Sequence, residues 1–121
     1  YLKKQINRLM KIYHNPRCSK SRQTLQILQE KNVDVEIVEY LKDLPNKEEL
    51  TEIIKTLGIS PIQLIRKGEA DFKENFKGKE LSDEEWIDAM IAYPKLIERP
   101  IVVKGNKAVL GRPPENVLDL I

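Results

Sequence analysis

The sequence predicts an α/β fold: a four-stranded mixed sheet with helices on its faces. Three observations predict it. The first forty residues read strand, helix, strand, a βαβ unit whose crossover is right-handed. The middle of the chain is a run of capped, helix-period segments without strand alternation. Near the end, two short apolar strands flank Gly105-Asn106, a turn-forming pair, and a last helix follows. Two parallel strands plus a hairpin make the mixed sheet, and the helical middle becomes an insertion between them.

Lys11 to His14 is the first strand, ended by Asn15-Pro16. A helix follows over 19–31, with Thr24, Leu25, Ile27 and Leu28 at helical spacing and Asn32 as its stop. "VDVEIVEYL" alternates Val33, Val35 and Ile37 with acidic residues and reads as the second strand. Leu44-Pro45 breaks the pattern. Asn46 then caps a helix, with Glu49 in capping-box position, a buried stripe of Leu50, Ile53, Ile54 and Leu57, and Gly58 as terminator. Ser60-Pro61 opens a short helix bearing Ile62, Leu64 and Ile65. Residues 67–81 are polar and read as loops around a short helix. Ser82 with Glu85 is a second capping box, opening a helix with Trp86, Ile87, Met90 and Ile91 that stops near Pro94. Ile101 to Val103 and Ala108 to Leu110 form the hairpin, and Pro113-Pro114 opens a helix over 115–121.

At 121 residues, this is one ordinary domain over 10–121. Residues 1–9 precede Met10 and read as an N-terminal extension, either non-native or a frayed arm. A net charge of +2, with Lys and Glu interspersed, gives no basic stripe for nucleic acid. No apolar run has membrane-spanning length, and the basic opening lacks the apolar stretch of a signal peptide. A single cysteine excludes an internal disulfide and agrees with a reducing compartment, so a cytoplasmic protein is expected, and at this size a monomer is the default.

That cysteine, Cys18, stands in "IYHNPRCSKSRQTL", where the first strand meets the first helix. The first N–H groups of a helix lack internal partners, and the helix dipole places about half a positive charge there. Arg17, Lys20 and Arg22 add positive potential. Such settings bring a cysteine from a pKa of about 8.5 into the range of about 3.5–7.5. A thiolate nucleophile follows, and the same amides suit an oxyanion. The neighbours of Cys18 offer nothing apolar to bury it as a mere small hydrophobe.

The stretch resembles the ArsC family of arsenate reductases, the glutaredoxin-linked type with a thioredoxin-like fold. His14, Asn15, Pro16, Cys18, Ser21 and Arg22 match its His-Asn-Pro-x-Cys-x-x-Ser-Arg signature, and the likeness continues through "GISPIQLIRKGE", "ERPIVV" and "GRPPENVLDLI". The resemblance implies that Cys18 is the nucleophile and that Arg66, Arg99 and Arg112 bind the oxyanion. A guanidinium fork suits such a ligand better than a lysine point charge. It places His14, Asn15, Ser21, Arg22 and Pro100 around these groups, with Pro100 as a cis-proline facing the cysteine. His14 is open between tuning the thiolate and serving the fold. Arg17 is basic where well-understood members carry a small neutral residue. The implied substrate is arsenate or a similar oxyanion. No metal or bound cofactor is implied. With no second cysteine, the reductant must be external: a small thiol, glutathione or its equivalent, with a glutaredoxin-like protein. Two other functions stay open: a general single-cysteine thiol oxidoreductase of glutaredoxin type, and a Spx-like regulator that binds RNA polymerase.

Overall fold

The sheet is built where the sequence places it. The computed structural model describes residues 10–121, so the N-terminal extension lies outside the described residues. The described chain divides into two units: residues 10–43 with Arg99–Ile121, and Leu44–Glu98, the helical insertion.

In the first unit, β1 (Met10–His14), α1 (Ser19–Glu30) and β2 (Glu36–Glu39) form the βαβ arrangement, and β3 (Ile101–Lys104) and β4 (Lys107–Leu110) form the hairpin. The strand order is β2-β1-β3-β4. β1 is parallel to β2, with Ile12 beside Ile37, and antiparallel to β3, with Ile12 beside Val102. Alternation along a strand puts Met10, Ile12 and His14 on one face. Met10 and Ile12 pack there with Leu28 of α1, Val102, and Val117 and Leu120 of the C-terminal segment. Each such aliphatic side chain, fully buried, contributes roughly 1.5–3 kcal/mol.

Two elements differ from the sequence reading. β2 is short and none of its own residues is fully buried; Val33 and Val35, which precede it, pack against the core, and Tyr40, which follows it, is buried. Ile37 shares a face with Ile12 but sits on the edge strand and stays 47% exposed. The last helix is a 3-10 helix, Pro114–Leu120. Bonds such as Asn116 N–H to the Pro113 carbonyl close over three residues. The Asn116 amide also donates to the carbonyls of Leu110 (3.1 Å) and Arg112 (3.2 Å), which draws this turn onto the end of β4.

The second unit contains α2 (Lys47–Leu57), α3 (Ala70–Asn75) and α4 (Asp83–Ala92), with 3-10 turns at Pro61–Leu64 and Pro94–Leu96. Its helix starts follow the predicted caps. Asn46 Oδ1 accepts the Glu49 N–H at 2.8 Å, and Ser82 and Glu85 close a reciprocal capping box. Gly58 ends α2 with φ 71°, a left-handed conformation that glycine adopts without steric cost. Phe72 stacks on Trp86, with Phe76 and Tyr93 completing an aromatic cluster. Among the described residues no helix is long and apolar enough to cross a membrane.

Candidate active site

Residues 15 to 18 form a corner held from several sides. The Asn15 carbonyl accepts the Cys18 N–H at 3.0 Å, and Asn15 Oδ1 accepts the Arg17 N–H at 3.0 Å. Arg22 Nη1 donates to the Pro16 carbonyl at 2.9 Å. Ser21, wholly buried, joins strand to helix: its Oγ accepts the Asn15 N–H at 3.0 Å and lies 2.6 Å from His14 Nδ1. These bonds fix where the first turn of α1 begins, and therefore where its unpaired amides point.

Cys18 is the N-cap residue of α1, in extended conformation, and its carbonyl accepts the first helical bond, from Arg22. Its side chain is half-buried. Burial pushes the thiol pKa up. The Ser21 amide, the Arg99 side chain, the Lys20 amide and the Arg99 charge together outweigh it, so the pKa lies below the ordinary value. The sulfur closes no full cap hydrogen bond, so the amides act on it as aligned dipoles. Arg112 Nη1 approaches Sγ at 3.9 Å and donates to the Arg99 carbonyl at 3.3 Å. Cys18, Arg99 and Arg112 thus meet at one point, although 81 residues separate Cys18 from Arg99 in sequence.

The hairpin ends are brought there by a tight contact. Thr24 of α1, fully buried, donates its hydroxyl to the Lys20 carbonyl (2.9 Å) and the Gly111 carbonyl (3.3 Å). A Cβ on Gly111 would lie 2.5 Å from Thr24 Oγ1 and 2.7 Å from Pro100 Cγ, so only glycine permits this approach. The Arg99–Pro100 peptide is cis, the geometry the resemblance implies, and Arg112–Pro113 is a second cis peptide that the sequence did not signal.

His14 points to the same face as Ile12 and is buried. Burial lowers its pKa; Glu39 raises it and Arg22 lowers it further. The imidazole is therefore neutral at pH 7 and adds no positive charge beside the thiol. Arg66 belongs to the second unit. It follows the short Ile65–Ile97 bridge, and its Nη1 lies 3.6 Å from Glu98 Oε1. Sequence reasoning missed Glu98, Thr24 and Gly111. Glu98 directly precedes Arg99 and carried no signal of its own, and the Thr24–Gly111 contact spans 87 positions. Among the described residues no group of three or more His, Cys, Asp or Glu could hold a metal ion.

Residues 13–120 match the ArsC family. The chain belongs to the ArsC family. Similar proteins include the uncharacterized protein YfgD of Escherichia coli K12, 48% identical over 96% of this chain and 99% of that one. An arsenate reductase of Haemophilus influenzae is 44% identical over 91% of this chain and 97% of its own. Among solved structures, the arsenate reductase from Vibrio cholerae superposes with a TM-score of 0.87 at 43% identity, covering 93% of this chain and 97% of that chain. The four-stranded sheet with its helical insertion is thus the thioredoxin-like architecture of ArsC proteins.

Proposed function

We propose that this ArsC-family protein reduces arsenate to arsenite with Cys18 as nucleophile. The observation that carries the reading is the convergence of Arg112 and Arg99 on a thiol already favoured as thiolate by the amides of α1. The Cys18 thiolate attacks arsenic(V), an As–S bond forms, and one arsenate oxygen leaves as water after protonation. Arg99 and Arg112 offset the negative charge that builds on the remaining oxygens, as donors in an oxyanion hole do. Two electrons must then reach arsenic to give arsenic(III). Cys18 is the one cysteine of the sequence, so they come from two external thiols, which end as a disulfide while Cys18 is regenerated. Glutathione or an equivalent small thiol, with a glutaredoxin-like protein to resolve a mixed disulfide, meets this requirement.

The test is thiol-coupled reductant consumption with and without arsenate, for the wild type and Cys18→Ser. The reading expects turnover that depends on arsenate and is lost in the variant. Glutathione-dependent disulfide reduction that ignores arsenate would replace it with a general thiol oxidoreductase. No turnover, together with capture of RNA polymerase, would replace it with a regulator. Arsenate and the external thiol make no use of the Arg66–Glu98 pair in this scheme; the oxyanion role implied for Arg66 is tested by Arg66→Lys, where loss of arsenate affinity would add it to the site.

A further inference from the structure

A small cleft opens beside the Cys18 corner, wholly within the first unit. It is lined by His14, Asn15, Pro16 and Arg17 from the corner and by Glu39, Leu41 and Lys42 from the end of β2 and the turn after it. Its volume is about 180 Å³. At about 30 Å³ per water molecule, this is room for a charged head group and not for a whole peptide. The walls are held in place. The Arg17 N–H is tied to Asn15 Oδ1, and the Lys42 and Asp43 N–H groups both donate to the Glu39 carbonyl at 2.9 Å. The charges are ordered as well: two cations, Arg17 and Lys42, and one anion, Glu39, whose Oε1 lies 3.7 Å from Lys42 Nζ. Arg17 is exposed, so its guanidinium is within reach of a ligand from solvent.

We infer that this cleft seats the external thiol by a zwitterionic α-amino-acid head group, its carboxylate on Arg17 and Lys42 and its ammonium on Glu39. The inference rests on the reading of Cys18 as a nucleophile resolved by an external thiol. The pattern of two cations and one anion matches a head group carrying both charges and has nothing to offer a neutral thiol. The reach is right: Arg17 adjoins Cys18, consecutive Cα atoms lie about 3.8 Å apart, and a peptide arm of three residues extends about 10 Å at most. A head group in the cleft can therefore deliver a sulfur one peptide arm away to Sγ of Cys18. The residue type at position 17 then has a purpose that the oxyanion does not require of it.

The test needs no arsenate. In thiol–disulfide exchange, the Cys18 thiolate attacks one sulfur of a disulfide; a new S–S bond forms with Cys18, the old one breaks, and the other half leaves as thiolate. Rates are measured by mass spectrometry with glutathione disulfide and with the neutral hydroxyethyl disulfide, for the wild type, Arg17→Ala, Lys42→Ala and the double variant. The inference expects the wild type to prefer glutathione disulfide, and the ratio of the two rates to fall about tenfold in the double variant, the order expected for losing two exposed charge contacts. A wild type without the preference, or a double variant that keeps it, overturns the inference. Exchange that shows the expected ratio in a protein without arsenate turnover would sink the reductase reading and leave the cleft standing.

Discussion

Replacing Gly111 by alanine is expected to destabilise the first unit by about 2 kcal/mol. Gly111 does not have a left-handed φ, so the backbone alone accepts alanine. With space available, the change would stabilise by about 0.4–1 kcal/mol through the unfolded chain. The space is absent. The new Cβ meets Thr24 Oγ1 at 2.5 Å, Pro100 Cγ at 2.7 Å and Thr24 Cγ2 at 3.0 Å, against an optimal carbon contact of about 3.5–4.0 Å. Thr24 cannot swing aside easily, because it is fully buried and its hydroxyl serves two carbonyls. Overpacking of this kind costs about 1–3 kcal/mol; overlap on two sides places it at the upper end, and the unfolded-chain gain of about 0.4–1 kcal/mol brings the net to about 2 kcal/mol. The assay is urea unfolding. With a slope of about 1–3 kcal/mol per molar, the midpoint should fall by about 1 M. Thr24→Ala in the same chain should recover part of that loss, a non-additivity of about 1 kcal/mol or more. A Gly111→Ala midpoint equal to or above that of the wild type would refute the close-approach argument.

Other changes test the corner directly. Ser21→Ala should cost about 2–3 kcal/mol in urea unfolding, because it leaves the Asn15 N–H and the His14 ring nitrogen buried without their shared partner. Folding stability should rise with pH through the window from the lowered pKa of His14 up to about 6.5, where the unfolded chain still holds the proton, and should be lost as pH falls through it; denaturation midpoints across that window should be flatter for His14→Asn. Ser82→Ala should lower the stability of the second unit by about 1 kcal/mol through loss of its cap, read by Trp86 fluorescence on unfolding.

Local chemistry was the legible part of this chain. Asn46, Ser82 and Gly58 mark helix ends because each acts on backbone groups within three or four residues. The hairpin and the place of Cys18 at a helix start follow from equally short patterns. What depended on neighbours distant in sequence was less legible. Ile37 has the alternation of a buried strand residue, yet it is exposed because β2 is an edge strand, and position in a sheet is not written in the strand. The C-terminal helix read correctly as a helix but not as a 3-10 helix, since the Asn116 bonds to the end of β4 shape it. Arg99 and Arg112 were found through resemblance; their meeting over the sulfur needs the Thr24–Gly111 contact, which no window of sequence contains.

The proposed chemistry depends most on the charge state of one sulfur. Its direct measurement is titration of Cys18 by thiolate absorbance, in the native wild type, in Arg99→Ala and in the chain unfolded in urea. The native pKa should lie below the unfolded value, with Arg99→Ala moving it back upward because the Arg99 guanidinium favours the thiolate. A native pKa equal to or above that of the unfolded chain, indifferent to Arg99, would contradict the proposed chemistry.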